Sequence, residues 1–201
     1  GAGAHVGDHA ADSACTIAAE HQSMCHPACD CGRDVMQVSL AGRGVMLSDG
    51  ATNVMPIPPH RGQALTPSET DDNQRVVHRA WKLHFDQVQR SLQRGFYQGW
   101  DLHPAQLPTR YAAVFAFFLQ SLGAASARLK NFVDKAAHAT LVGDVFDDAA
   151  TGQGLLNFFL RGLSCGALTE EEAFATGLTH DDLRTRSFVK ILEARRTRAG
   201  G

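Results

Sequence analysis

The order of segments in this chain predicts an α/β fold with parallel strands, and three observations carry that prediction. Short extended runs end in glycine or polar turns, and long stretches of helical character follow them. Between Val76 and Leu92 the apolar residues recur at three- and four-residue intervals, the spacing of a helix with one buried face. The C-terminal third reads as helical throughout. Strands that alternate with helices pair in parallel, because each helix carries the chain back across the sheet. About three strands can be found, against the eight of a closed βα barrel, so a long strand edge must be covered by something else.

The chain has 201 residues, enough for one domain with a real core. Its formal charge is −2, which gives no general attraction to nucleic acid or to a membrane surface. The longest apolar run, Tyr111 to Leu119, is too short to span a bilayer. The chain begins at Gly1 with no charged and apolar leader, so no signal peptide is expected. Five cysteines in no disulfide pattern point to a reducing, cytoplasmic setting.

Taken in order, Ala4 to Val6 reads as a short strand before the turn Gly7-Asp8-His9. A helix is expected from Asp12 to about Met24. Pro27 interrupts it, and a second run from Asp30 to Leu40 has Val35, Met36, Val38 and Leu40 as its buried face. Val45-Met46-Leu47 is a strand that delivers Ser48, Asp49 and Gly50 to its C-terminal end. Asn53 to Pro67 is an irregular, proline-rich loop. Thr66-Pro67-Ser68-Glu69 then predicts a capped helix start, with Pro67 in the first turn and Glu69 closing a capping box. That helix buries Val76, Val77, Ala80, Trp81, Leu83, His84, Val88 and Leu92, and Gly95 ends it. Tyr111 to Leu122 is apolar nearly all round and is expected to be buried. Gly123 marks a stop, and Ala124 to Leu141 a further helix. Gly152 and Gly154 precede a helix from Leu155 to Leu163 that Gly166 ends. Thr169 with Glu172 and Thr179 with Asp182 are two more box-like starts, and Leu183, Phe188, Ile191 and Leu192 form the last buried face. The expected division is residues 1–107, carrying the strands, and 108–201, carrying the closing helices and a helical extension.

The most informative stretch is Gly95-Phe-Tyr-Gln-Gly-Trp-Asp-Leu-His103-Pro104-Ala-Gln106-Leu107. Pro104 biases His103 toward extended backbone, so the imidazole stands at a strand end. Pro108 suits the first turn of the next helix. In βα barrels the chemistry sits at that C-terminal edge. The pattern Gly-Phe-x-Gly-Trp-x-x-His-Pro-x-Gln resembles the last barrel strand of the citrate lyase β-subunit, malyl-CoA lyase and HpcH/HpaI aldolase superfamily, and most of all an uncharacterised bacterial aldolase-like branch. Asp49-Gly50-Ala51-Thr52-Asn53-Val54-Met55-Pro56 and the segment Val142 to Leu156 resemble that branch too.

The resemblance implies that the chain is the C-terminal part, about three βα units, of a TIM-type barrel with a helical extension. The strands before Gly1 would then belong to a missing N-terminal half, and the isolated chain would be inactive. It implies a carbon–carbon lyase that cleaves a 2-hydroxy or 2-oxo acid, or its coenzyme A ester, by a retro-aldol or retro-Claisen step. Magnesium, or manganese in its place, would chelate the substrate and stabilise the enolate. One ligand, a Glu, would lie upstream of Gly1. The Asp ligand would fall near His5 to Ala10, where Ala10 takes the usual Asp position and Asp8 and Asp12 flank it. Asp147 matches a lid Asp that reaches a neighbouring subunit's site in malyl-CoA lyase-like relatives, which implies a homo-oligomer. His103 and Asp147 are therefore the catalytic candidates, with His103 lining the pocket rather than serving as primary general base. Asp49, Gly50 and Gln106 are the substrate-binding candidates.

Each has a structural alternative. Asp49 could open an Asx turn, and Asp8 and Asp12 could cap one. His103 could pin the strand end while Gln106 caps nearby backbone. Asp144, Asp147 and Asp148 could simply favour a helix N-terminus. Thr151-Gly-Gln-Gly154 lacks the lysine of a phosphate loop. A competing function is a non-enzymatic, mainly helical interaction module with a zinc site among His21, Cys25, His26, Cys29 and Cys31. The capped pair of helices in Leu168 to Arg186, with Arg184, Arg186, Lys190, Arg195, Arg196 and Arg198 near it, vaguely resembles a helix-turn-helix, but a charged last helix is more often a solvated face.

Overall fold

The computed structural model describes residues 23–45, 47–138 and 149–199. The fold is mixed α/β and mostly helical, with one two-stranded sheet among the described residues. The elements are α1 (Pro27–Leu40), β1 (Ser48–Asp49), α2 (Pro67–Gln93), β2 (Tyr97–Gln98), a 3₁₀ turn (Pro104–Gln106), α3 (Leu107–His138), α4 (Ala149–Ser164), α5 (Glu170–Phe174), α6 (His180–Thr185) and α7 (Phe188–Ala199). Two compact units divide at Val114 and Phe115, so α3 contributes residues to both.

The N-terminal unit is built on a βαβ arrangement. β1 and β2 are parallel, with Ser48 opposite Tyr97 and Asp49 opposite Gln98, and α2 connects them. α2 starts as its sequence demands: the Thr66 hydroxyl accepts from Glu69 N–H, and the Glu69 carboxylate accepts from Thr66 N–H, with Pro67 in the first turn. Gly95, at φ +81°, turns the chain out of the helix, in a conformation that favours glycine. The irregular loop before α2 is pinned by Asn73, whose side chain donates to His60 C=O and accepts from His60 N–H.

Two expectations for this unit are corrected. The first strand is Ser48–Asp49, just after the segment Val45 to Leu47. The helix expected from Asp30 starts instead at Pro27, where the missing N–H costs nothing and His26 Nδ1 accepts from Ala28 N–H. Its buried face is also different. Val35 and Val38 are exposed, and the buried positions are Cys29, Arg33 and Met36, one helical stripe. The reason is Arg33, whose charge needs the buried partner Asp49 and so selects the face that turns inward.

Among the described residues of the C-terminal unit the interior is mostly apolar. Phe118, Leu129, Val133, Leu156, Phe159, Phe188 and Ile191 are buried, and Phe118 stacks in a tilted pair with Phe158. Both later capping boxes form, Thr169 with Glu172 and Thr179 with Asp182. Three expectations fail. Gly123 does not stop a helix: α3 runs through it, and a lone interior glycine costs only about 1 kcal/mol of helix propensity. Along α3, which contributes to both units, Tyr111 and Leu119 are exposed rather than buried, while Ala113, Val114 and Phe118 are inside. Gly152 and Gly154 lie inside α4 rather than before it. Gly152 is there because the Phe188 ring rests on it; a Cβ would meet that ring at 2.2 Å. The expected strand Ala4 to Val6 and helix Asp12 to Met24 lie outside the described residues, apart from the turn at Ser23 and Met24.

Candidate functional site

Because β1 and β2 run parallel and in register, the turns that follow Asp49 and Gln98 leave the sheet along the same edge. Gln106 ties these two turns together. It is buried, its Nε2 donates to Thr52 O at 3.0 Å and to Val54 O at 3.4 Å, and its Oε1 accepts from Leu102 N–H and His103 N–H. One amide side chain thus satisfies four backbone groups that a loop would otherwise leave unpaired.

His103 has the extended backbone that the following proline imposes, φ −149° and ψ 140°. Its Nδ1 accepts from Ala105 N–H at 3.1 Å. With Nδ1 used as an acceptor, the neutral ring carries its proton on Nε2, on a half-buried side chain at the rim. His103 is therefore set up as a hydrogen-bond donor. The Gln106 contacts match the structural alternative stated for that residue, whereas the His103 imidazole caps the 3₁₀ turn.

Asp49 is 2% exposed, and both its oxygens are engaged within the fold. Arg33 Nε donates to Oδ1 at 2.9 Å and to Oδ2 at 3.0 Å. Ser91 Oγ donates to Oδ2 at 2.7 Å, and Gly50 N–H to Oδ1 at 2.8 Å. Arg33 extends the network to Asp30 and to Met24 O, and Asp30 also receives Arg90. The expected pocket-facing carboxylate is thus a clamp between α1, β1 and α2. Burial raises the Asp30 carboxyl, but the hydrogen bond from Arg90 and the charges of Arg90, Arg94 and Arg33 outweigh it and hold the group below its usual range. A Cβ on Gly50 would meet open space within the described fold.

Beneath the His103 loop lies a second, partly buried polar cluster. Arg110 grips both Asp101 oxygens, with Nε at 2.9 and 2.8 Å and Nη2 at 2.7 Å. It also donates to Gln98 O, Gln98 Oε1 and Trp100 O, which fixes the C-terminal end of β2. Gln98 donates to Thr52 Oγ1, and Thr52 donates to Gln87 Oε1, so this network crosses to the Asp49 turn as well. His84, 1% exposed, places Nδ1 2.7 Å from Thr109 Oγ1 and Nε2 3.0 Å from Asp101 Oδ1. Trp81 Nε1 donates to Ala105 O at 2.7 Å from the same face of α2.

Asp8, Asp12 and Asp147 lie outside the described residues. Among the described residues no group of three or more His, Cys, Asp and Glu side chains could hold a metal ion. Of the zinc candidates, His21 lies outside them. His26 caps α1, Cys29 is buried with its thiol donating to Ser23 O, and Cys25 and Cys31 are exposed. Burial pushes the Cys29 thiol up from its ordinary value.

The residues that sequence reasoning passed over are Arg33, Asp101, Thr109 and Arg110, and His84 appears there only as one apolar-face position. A signal existed for His84: a titratable ring at the centre of a buried stripe needs polar partners from another segment. None existed for Arg33, since nothing local distinguishes its charge from a solvated one.

The segment Pro104–Asp134 is long and apolar enough to cross a membrane by length and composition alone. Its first turns, however, accept hydrogen bonds from Trp81 and Gln89 of α2, through Ala105 O and Ala113 O.

In comparisons with known proteins, residues 1–191 match the family model described as a domain of unknown function, DUF6986. No curated protein and no solved structure matches the chain.

Proposed function

For this chain, which belongs to the DUF6986 family, we propose the carbon–carbon lyase reading: its βαβ unit is part of a TIM-type barrel, and its carboxyl-end rim is one side of an aldolase-like site. The observation that carries the reading is the Gln106 bridge. It brings the Asp49–Pro56 turn and the His103 loop, two of the three segments of the aldolase resemblance, onto one edge of a parallel sheet. Ligand sites in α/β folds lie at such edges.

In this reading His103 is the residue that meets substrate. Its Nε2–H, fixed by the Nδ1 cap, donates to an oxygen of a 2-hydroxy or 2-oxo acid, or of its coenzyme A ester, on which charge develops as the carbon–carbon bond breaks. Asp49 and Gln106 act through position: one holds the strand end, the other sets the loop that carries His103. The described residues do not supply a divalent-cation site, since Asp49 is closed by Arg33 and Ser91. Magnesium or manganese would supply Lewis-acid stabilisation of the enolate, with Asp8, Asp12 and a carboxylate from the remaining strands as its ligands. Those strands, and a subunit that receives Asp147, are the partners this reading requires.

The test is cleavage of a panel of 4-hydroxy-2-oxo acids and 3-hydroxyacyl coenzyme A esters by the complete polypeptide in which this sequence occurs, with and without chelator. We expect chelator-sensitive release of an oxo acid or a shortened ester, reduced about 10²-fold or more in His103→Ala, on the scale of losing one oxyanion donor. Absence of carbon–carbon cleavage across the panel, or full activity in His103→Ala, would overturn the reading.

A further inference from the structure

We propose that Asp101, His84 and Thr109 form a proton switch, centred on the buried His84, that decides which hydrogen bond holds the start of α3 beneath the His103 loop. The proposal does not depend on the lyase reading. It rests on a conflict among three distances. Thr109 Oγ1 lies 2.9 Å from Gln106 O and 2.7 Å from His84 Nδ1, yet a hydroxyl has one proton to give. If that proton goes to Gln106 O, His84 Nδ1 must be the donor to Thr109. A neutral ring would then aim the lone pair of Nε2 at Asp101 Oδ1, 3.0 Å away, which is repulsive. Nε2 is also a buried nitrogen that no straight hydrogen bond reaches, which marks the point of frustration.

Two arrangements resolve the conflict, and they differ by one proton. With His84 neutral, Nε2–H faces Asp101, Nδ1 accepts the Thr109 hydroxyl, and Gln106 O loses that bond. When a proton from solvent binds Nδ1, the imidazolium donates at both ends: Nε2–H to Asp101, and Nδ1–H to Thr109 Oγ1. The Thr109 hydroxyl then turns to Gln106 O. Gln106 is the residue whose side chain clasps Leu102, His103 and Thr52, so the switch acts at the foot of the rim.

Asp101 and Arg110 are the charged groups that face His84, and they act in opposite senses. Burial comes first, then the Arg110 charge; together they outweigh Asp101 and lower the His84 pKa from the ordinary 6.5. The neutral arrangement therefore holds at neutral pH, and the charged one appears on acidification.

Long-range ¹⁵N–¹H NMR of the imidazole gives the tautomer, and the intrinsic fluorescence reports the loop. The chain has two tryptophans, Trp81, bonded to Ala105 O and stacked on the His78 ring at 5.8 Å between centroids, and Trp100, two residues past β2. The fluorescence is therefore read with His78→Gln, so that His78 does not contribute to it. On acidification we expect His84 to pass from the Nε2–H tautomer to the imidazolium with a midpoint below the ordinary 6.5, and a tryptophan signal change at the same midpoint. Thr109→Val should keep the His84 titration and lose the coupled fluorescence change, while Thr109→Ser should keep both. An Nδ1–H tautomer at neutral pH, a His84 that stays neutral until the chain unfolds in acid, or a His84-linked fluorescence change that survives in Thr109→Val would overturn the switch. Should Thr109→Val not fold, the tautomer and titration in the unaltered chain decide the matter.

Discussion

The interiors of the two units are made of different material. In the N-terminal unit Arg33, Asp49, Thr52, His84, Gln87, Ser91, Gln98 and Gln106 are all buried, and the hydrogen bonds among them join α1, both strands, α2 and the start of α3. Among the described residues of the C-terminal unit the buried polar groups are Thr176 and Asp182, and the other buried positions are aliphatic and aromatic. Apolar packing tolerates small displacements at modest cost, whereas hydrogen bonds fix atoms in both distance and direction. The polar interior is therefore suited to holding two loop ends in register, and the apolar one to stability without that demand.

The sharpest way to break this contrast is Asp49→Ala, which leaves the Arg33 guanidinium buried without its partner. A loss of about 3–5 kcal/mol is expected in chemical denaturation. The double change Arg33→Met with Asp49→Leu should recover most of it, since a packed apolar pair often replaces a buried ion pair at little cost. On the other side, Leu156→Ala should cost about 2–5 kcal/mol by opening a cavity, and no polar substitution should rescue it.

Acid should weaken both units through different carboxylates. Asp182 is raised by burial, but its bonds with Arg195 and Thr179 outweigh this and hold it below its ordinary value, as the arginines do for Asp30. A depressed carboxyl contributes stability above its unfolded pKa, here 3.8, and loses it as pH falls through the lower folded value. His84 gives a loss in a higher window. Its folded pKa lies below 6.5, so the unfolded chain binds the proton more readily, and stability declines as pH falls below that value. Asp101→Asn, read by the same pH-dependent denaturation, should lower the His84 folded value further. At the small end, Thr66→Ala and Thr169→Ala should each cost about 1 kcal/mol, because equivalent capping boxes serve both units.

Local rules made much of this fold legible. The three capping boxes, the turn at Gly95 and the extended backbone at His103 follow from residues within a few positions of one another. The parallel pairing followed from the alternation of strand and helix around α2. What escaped were consequences of distant partners. Val35 and Val38 look like a core stripe until Arg33 finds Asp49, 16 positions away. Gly152 looks like a helix breaker until the Phe188 ring covers it. The candidate site shows the same limit. His103, Gln106 and Asp49 could be picked out by position, but that Asp49 is a closed clamp, and that His84 and Arg110 underlie the loop, depends on contacts no spacing encodes.

The claim beneath both the functional reading and this comparison is that the two strand-end turns behave as one clasped rim. Amide hydrogen exchange on Gln106→Ala measures it most directly. The account predicts faster exchange at Leu102 and His103 together with the segment 52–55, and unchanged protection in α4 and α7. Loosening of one turn without the other, or protection retained in both, would contradict it.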